Sequence, residues 1–301
     1  MFLRTHHSIL AVVRRSMPIA IILAALVLPA AGPPPAGSGL DVAQRNSIRI
    51  AVCQTLCIDG DIEGNLRRIE YAVEAAAQEH ADIACLPEAA VLGWVNPAAH
   101  HLAEPIPGAL SDRIAEMARR HGIMIATGLC EKDGETLYDA AILLGADGEI
   151  LMKHRKINIL AELMDPPYTP GSIDDIGTVE TPIGRIDMLV CADVFKEEIV
   201  EVAAGQQPDL MLIPFGWAAD MGAWPAHGKS LSAWVSSVAV RVHCPVVGTD
   251  LVGVISSGPW RGKTYGGQSP VADATGRILG TLRDRDPEVR IFELEIAKHR
   301  R

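Results

Sequence analysis

Short, almost wholly apolar runs alternate along the chain with segments that carry apolar side chains at helical spacing. Residues 48–53 and 82–86 are two such runs, and each has the length of a strand buried in a sheet. Residues 65–80 lie between them and repeat apolar side chains every three or four positions, which predicts an amphipathic helix. Because this alternation continues along the chain, the pattern predicts an α/β fold with sheets covered by helices.

The predicted elements extend from about residue 46 to residue 297. The other predicted strands are 123–129, 137–145, 149–154, 185–190, 210–213, 245–250, 267–273, 277–282 and 289–296. The other predicted helices are 112–121, which Ser111 caps and Gly122 ends, 196–205 and 229–242. Turn signals at 147–148 and 275–276 join neighbouring strands into hairpins, so mixed sheets are expected. No linker or repeat interrupts this pattern, and residues 41–301 are interpreted as one domain.

The first 40 residues differ in composition from the rest. They contain no Asp, Glu or Lys, and Arg14-Arg15 precede an apolar run at 17–31, shorter than the ~20 residues of a membrane-spanning helix. A stretch rich in Pro, Gly, Ser and Ala follows at 32–39. We therefore expect residues 1–40 to be a signal peptide with a linker, and the protein to be exported, either periplasmic or secreted. The alternatives are an uncleaved leader that anchors the protein to a membrane, or a misassigned start codon in a cytoplasmic protein.

Charge and composition narrow the classes of function. The net charge is −10 over 301 residues, and removal of the leader leaves 24 basic and 37 acidic residues. A nucleic-acid-binding protein needs a basic surface, so no nucleic-acid partner is expected. The His100-His101 pair has no Cys or carboxylate at ligand spacing, so no metal or other cofactor is expected. The six Cys permit disulfides in an exported protein, but the apolar surroundings of Cys53, Cys85 and Cys130 favour buried thiols.

Three polar residues follow predicted strands, where α/β folds place their ligand sites. These residues are Glu88, Lys156 and Cys191. A helix beginning just after Cys191 would favour its thiolate, and Glu88 could act as the base during acyl transfer. Lys156 and the backbone N–H of Ala192 could stabilise the oxyanion of a tetrahedral intermediate. Each residue alone is more often structural, but their combination predicts acyl transfer through a Cys nucleophile.

The sequence around these three residues resembles the signature blocks of the nitrilase superfamily, the carbon–nitrogen hydrolases. The matching blocks are Leu86-Pro87-Glu88, His154-Arg155-Lys156-Ile157-Asn158 and Val190-Cys191-Ala192-Asp193, in the order of that family's Glu, Lys, Cys triad. The resemblance covers about residues 47–296 and includes Thr181-Pro182-Ile183-Gly184, Gly267-Gln268-Ser269 and Asp273-Ala274-Thr275-Gly276. Two blocks depart. Leu137-Tyr138-Asp139 stands where the family has Leu-Tyr-Asn, and Ala192 follows the nucleophile where the family often has Tyr or Trp. We expect these departures to affect substrate choice rather than the triad.

The resemblance implies a fold, an assembly and a mechanism. The implied fold is a four-layer α-β-β-α sandwich with mixed sheets, which forms a homodimer or a larger homo-oligomer. The implied reaction is attack of Cys191 on an amide, carbamoyl or nitrile carbon, followed by hydrolysis of the thioester. In it Glu88 is the general base and Lys156 stabilises the oxyanion, without a metal.

The remaining candidate residues concern catalysis and substrate binding. Many members of the family use a second catalytic Glu between the Lys and the Cys, and Glu162 is the first candidate for it here. Asp165 is the alternative, and a third outcome is that neither residue has this role. Trp217 follows the strand at 210–213 and either forms a wall of the pocket or packs in the core. Arg261 and Lys263 lie in a loop and either receive an acidic substrate or are simply solvated.

These inferences favour an exported thiol hydrolase of non-peptide carbon–nitrogen bonds. Its substrate is expected to be a small amide or N-carbamoyl compound, ahead of a nitrile. An acyltransferase with the same triad and a non-catalytic binding protein on the same fold are the alternatives.

Overall fold

The computed structural model describes residues 47–296, so the predicted leader and linker lie outside the described residues. The strands are β1 (Ser47–Gln54), β2 (Ile83–Cys85), β3 (Met124–Asp133), β4 (Thr136–Leu144), β5 (Ile150–Arg155), β6 (Val179–Thr181), β7 (Gly184–Met188), β8 (Leu210–Phe215), β9 (Ala218–Ala219), β10 (Val246–Asp250), β11 (Val252–Val254), β12 (Thr264–Gly266), β13 (Pro270–Ala272), β14 (Ile278–Thr281) and β15 (Glu288–Glu295). The α-helices are α1 (Ile62–Gln78), α2 (Ala99–Leu102), α3 (Ala109–His121), α4 (Glu197–Gly205) and α5 (Ala226–Val242). Short 3₁₀ helices occupy Ala161–Leu163, Ile173–Asp175, Cys191–Phe195 and Met221–Ala223.

Two six-stranded sheets form the centre of the molecule, in the strand orders β15-β1-β2-β3-β4-β5 and β14-β13-β10-β8-β7-β6. Each sheet has three parallel strands in its middle and antiparallel strands at its edges. A third, small sheet has the order β11-β12-β9. The expected mixed sheets are therefore confirmed.

Alternating side chains of β1 show how the layers stack. Ile48, Ile50 and Val52 belong to a buried cluster that also contains side chains of β7, β8, α4 and α5. Ala51 and Cys53 point to the other face of the sheet and join a cluster with α1 and α3. Because side chains of a strand alternate between faces, one strand contributes to both interiors. The two clusters define four layers, helix, sheet, sheet and helix, which confirms the predicted α-β-β-α sandwich.

Some predicted boundaries are wrong. Helix α3 begins at Ala109, so Ser111 lies in its first turn rather than at its cap, where its hydroxyl accepts from Gly108 N and donates to Gly108 O, both at 2.9 Å. Gly122 ends this helix with a φ of 62°, as predicted. Of the strand predicted at 267–273 only β13 forms, at Pro270–Ala272, because Gly267 and Gln268 have φ values of 63° and 54°.

All six Cys fall within the described residues and are free, buried thiols, so this part of the chain has no disulfide. The helices between residues 47 and 296 include none that is both long and apolar enough to cross a membrane.

Candidate active site

The ends of strands from both large sheets meet at one place. Strands β2 and β5 run in the same direction, since β4 is antiparallel to both β3 and β5, and their carboxyl ends lie at one edge of the sheet. Glu88 follows β2 and Lys156 follows β5. Cys191 follows β7 of the second sheet, and Gly216 follows β8. Topology therefore explains why side chains far apart in sequence are brought together.

Glu88 is fully buried and held from both sheets. Its Oε1 accepts a hydrogen bond from Lys156 Nζ at 2.5 Å, and its Oε2 accepts one from Gly216 N at 2.5 Å. Its own backbone N–H donates to Phe215 O at 3.3 Å. The backbone of Gly128 on β3 lies so close that a Cβ there would be 2.4 Å from Glu88 Cα. These contacts fix the carboxylate in one position.

Lys156 lies between two carboxylates. Besides Glu88, its ammonium reaches Asp139 Oδ2 at 3.2 Å, and its backbone N–H donates to Asp139 O at 2.8 Å. Its Nζ is also 5.5 Å from the ring centroid of Trp94. Burial opposes the charged form, but Glu88, Asp139 and Cys191 carry the pKa of Lys156 well above its usual range. The two carboxylates therefore favour the ammonium form of this side chain.

Cys191 begins the 3₁₀ helix with a φ of 42°, a conformation that L-residues rarely adopt. It lines the same cavity as Gly216, whose N–H donates to the Glu88 carboxylate. Burial raises the pKa of the thiol well above its usual range, Glu88 raises it further, and Lys156 lowers it. The helix expected just after Cys191 is the 3₁₀ helix Cys191–Phe195, and the α-helix α4 begins only at Glu197.

A buried aspartate ties the turn at Cys191 to the strand that carries Lys156. Oδ1 of Asp193 accepts from the backbone N–H groups of Ile157 and Asn158, at 2.9 and 2.8 Å. Its Oδ2 accepts from Val190 N at 3.0 Å and contacts His154 Nε2 at 2.9 Å. This carboxylate, which we call the Asp193 clamp, fixes the position of the Cys191 turn relative to β5.

A cavity of about 240 Å³ opens onto Cys191. Its lining is Trp94, Leu160, Glu162, Leu163, Cys191, Phe195, Gly216, Trp217, Ala218, His227 and Trp260. Its aromatic rings pack on one another: Trp217 lies 5.7 Å from Phe195 and stacks on His227 at 5.0 Å between ring centroids. Trp94 and Trp260 meet edge to face at 5.6 Å. The site is thus a small aromatic pocket with the sulfur in its wall.

The candidates for substrate binding differ in where they lie. Trp217 lines the cavity, as does Glu162, whose side chain is exposed. Asp165 is also exposed and is absent from the cavity lining, while Ala192 is fully buried beside Cys191. Lys263 bonds Asp220 Oδ1 at 2.8 Å, so this loop cation has a protein partner.

Sequence reasoning missed two residues of the site, Asp139 and Trp94. The departure at Asp139 was expected to affect substrate choice, but the residue contacts Lys156 and therefore belongs with the triad. The block around Tyr138 held the signal, since Asp139 is a position at which the sequence departs from the family pattern. Trp94 follows the Glu88 block in a buried loop, and its sequence neighbourhood has no feature that predicts a cavity wall.

The described part of the chain contains no group of three His, Cys, Asp or Glu side chains arranged to hold a metal ion. His100 Nε2 contacts Pro166 O at 3.0 Å.

Comparisons with known proteins agree with this geometry. The carbon-nitrogen hydrolase family model matches residues 49–300. Omega-amidase NIT2 from Xenopus tropicalis is 30% identical over 178 residues, 56% of this chain and 62% of that protein, so the match spans less than two thirds of the relative's length. A Pseudomonas protegens protein named hydrolase in pqqF 5'region is 32% identical over 195 residues, 61% of this chain and 67% of that protein.

Solved structures show the same fold. A Cys-to-Ala mutant of an amidase from Nesterenkonia AN1, of the nitrilase superfamily, superposes with a TM-score of 0.72 at 24% identity, over 83% of this chain and 92% of that one. The family match over nearly all described residues, the sandwich fold and the position of Cys191 lead to one conclusion. The chain belongs to the carbon-nitrogen hydrolase family.

Proposed function

We propose that the protein hydrolyses small carboxamides through a thioester on Cys191. The hydrogen bond between the Glu88 carboxylate and the Lys156 ammonium, together with a cavity lined by Cys191 and Gly216, carries this proposal. A nucleophile, a base and a cation at one site are the set that acyl transfer needs.

The reaction has two halves. Glu88 accepts the thiol proton as Cys191 Sγ bonds to the amide carbon, and the carbonyl oxygen becomes an oxyanion beside Lys156 and the Ala192 N–H. Collapse of this intermediate breaks the C–N bond, and Glu88 returns the proton to the leaving nitrogen, which departs as ammonia. Water then attacks the thioester with Glu88 again as base, which releases the carboxylic acid and restores the thiol.

The cavity favours an uncharged acyl group. Its aromatic and aliphatic lining includes no Arg or Lys among the described residues, and its one carboxylate, Glu162, would repel an anion. A small carboxamide therefore fits better than an N-carbamoyl amino acid, which carries a carboxylate. The names of related proteins support an amide: omega-amidases are among the relatives, and the Nesterenkonia amidase was solved with butyramide and with acrylamide.

The test is ammonia release by the purified protein from butyramide, N-carbamoyl-β-alanine and butyronitrile. We expect ammonia from butyramide, and at least about 1,000-fold less from Cys191→Ala, because that variant has no nucleophile. Cys244→Ala is the matched control, since Cys244 is also a free, buried thiol but is not part of the cavity lining. Equal rates in the wild type and Cys191→Ala would contradict the mechanism.

We further propose that the enzyme is exported and works as a homo-oligomer. The arginine pair and apolar run before residue 32 support export. Val202 and Val240, 37% and 49% exposed on the outer helices α4 and α5, support a contact between copies on that layer. Cell fractionation with intact-mass measurement of the purified protein tests the first proposal, and sedimentation velocity tests the second.

A further inference from the structure

Asp139 is a buried carboxylate at the centre of the site. It lies on β4, its side chain is fully buried, and its Oδ2 is 3.2 Å from Lys156 Nζ. Its Oδ1 is also buried and has no hydrogen-bond partner among residues 47–296. An unsatisfied buried oxygen is costly, so this arrangement calls for an explanation.

One ammonium serves two carboxylates here. Lys156 Nζ is 2.5 Å from Glu88 Oε1 and 3.2 Å from Asp139 Oδ2. The neighbouring cation Arg155 bonds Glu131 and Asp133 instead. If both carboxyl groups ionise, the buried cluster has one negative charge in excess.

The surroundings supply no second cation. The titratable groups that face Glu88 and Asp139 from the packed elements are Cys130 on β3, Lys156 after β5, Tyr168 in the following loop, Cys191 after β7 and Tyr265 on β12. Lys156 alone among them is cationic, and the thiols and phenols are neutral while protonated. The negative charge on Asp139 therefore acts on Glu88 with only Lys156 to offset it.

We propose that Asp139 is a positioning residue of the active site, which shares Lys156 with Glu88 and so keeps Glu88 a stronger base than a fully paired carboxylate would be. The proposal rests on the proposed function of Glu88 as the base for Cys191. A carboxylate held by one ammonium and one N–H, with no competitor, would be stabilised as the anion and would accept a proton poorly. Asp139 competes for the ammonium and restores the proton affinity of Glu88.

The direction of the pKa agrees with this geometry. Burial raises the pKa of Glu88 well above its usual range, the charge of Asp139 raises it further, and Lys156 lowers it. Since the base must be ionised to accept the thiol proton, activity is lost as the pH falls through the pKa of the coupled group. Removal of the charge on Asp139 lowers that pKa, so activity persists to lower pH.

Asp139→Asn tests the proposal, because the amide keeps the size and an acceptor for Lys156 but carries no charge. We expect the acid limb of the pH profile of kcat/KM for butyramide to move to lower pH by about one unit, with a several-fold lower plateau from the weaker base. Asp187→Asn is the matched control. Asp187 is also buried with an unpartnered oxygen, and burial raises its pKa to about 7, but it lies outside the cavity lining. The acid limb of the pH profile should therefore not move in Asp187→Asn.

A second readout does not depend on the substrate. Iodoacetamide alkylation of Cys191 is followed against pH by mass spectrometry of the tryptic peptide 186–196, which contains no other Cys. The same shift is expected in Asp139→Asn. Normal alkylation without hydrolysis of any amide would count against the proposed function alone. An unshifted profile in both assays, with or without a lower plateau, would overturn the role of Asp139. If Asp139→Asn does not fold, Asp139→Ser, smaller and also neutral, is judged by the same criterion.

Discussion

Glu88 can occupy its position because two residues packed against it, Gly128 and Gly216, have no side chain. Gly216 donates its N–H to the carboxylate, and a Cβ on it would be 2.9 Å from Glu88 Oε2 and 2.8 Å from Trp94 Cγ. Real Cβ atoms do not approach other atoms so closely, so the carboxylate or the indole would have to move. The absence of a side chain at 216 is thus part of the geometry of the base.

Gly216→Ala should therefore damage catalysis more than folding. We expect kcat/KM to fall by about 100-fold, since a displacement of about 1 Å in a catalytic group has an effect of that size. Gly177→Ala is the control, because a Cβ there meets nothing within 4 Å. Amide hydrolysis and thermal unfolding of both variants provide the measurement. A Gly216→Ala enzyme as active as Gly177→Ala would mean that Glu88 tolerates the shift.

At the scale of the elements, strand ends of two different sheets must be held in register. The Asp193 clamp does this with four contacts, to Ile157 N, Asn158 N, Val190 N and His154 Nε2. Asp193 is fully buried, so each donor left without its carboxylate would be unsatisfied. The clamp therefore contributes both to the stability of the sandwich and to the distance between Lys156 and Cys191.

Asp193→Ala should lower the free energy of unfolding by about 3 kcal/mol, because several buried donors lose their acceptor together. It should also lower kcat more than it raises KM, since the nucleophile moves but the cavity walls remain. Asp174→Ala, at an exposed side chain, is the control and should change stability by less than about 0.5 kcal/mol. Urea unfolding and steady-state kinetics measure both effects. An unchanged kcat would show that the turn at Cys191 holds its position alone.

The elements also show what sequence could predict. Glu88, Lys156 and Cys191 were predicted because each follows a predicted strand, and the sheet topology brings such strand ends together. Asp139 sits inside β4 rather than at its end, so its contact with Lys156 depends on the pairing of β4 with β5. Whether Glu162 or Asp165 faces the cavity depends on a loop whose path no periodicity encodes. The observed limits of strands and helices differ from the predicted ones where the local backbone conformation sets them, as at Gly267 and Ser111.

At the scale of the whole molecule, the buried acid Asp187 on β7 affects how the free energy of unfolding depends on pH. Burial raises the pKa of Asp187 from its usual value to about 7, with the Met188 N–H lowering it. The folded state then retains a proton that the unfolded state has lost, so this group favours folding at low pH. Its contribution decreases as the pH rises toward 7 and is fully lost above that value.

Asp187→Asn should accordingly stabilise the protein, relative to the wild type, more at about pH 8 than at about pH 5. We expect the difference between the two conditions to be about 2.5 kcal/mol, because only the interval between pH 5 and the pKa of about 7 contributes, at about 1.4 kcal/mol per pH unit. Urea unfolding of both proteins at each pH gives the value. If Asp187→Asn changes the free energy of unfolding by the same amount at both pH values, Asp187 is already ionised in the folded state at pH 5.

The aromatic cavity has a further consequence. The chain has five Trp, and three of them, Trp94, Trp217 and Trp260, line the pocket beside Cys191. Most of the indole emission of the protein therefore originates within contact distance of a bound ligand. An amide that enters should change the intensity or wavelength of the intrinsic fluorescence, and Cys191→Ala would allow this to be recorded without turnover. The molecule thus contains its own optical probe, with which unlabelled compounds can be ranked by affinity.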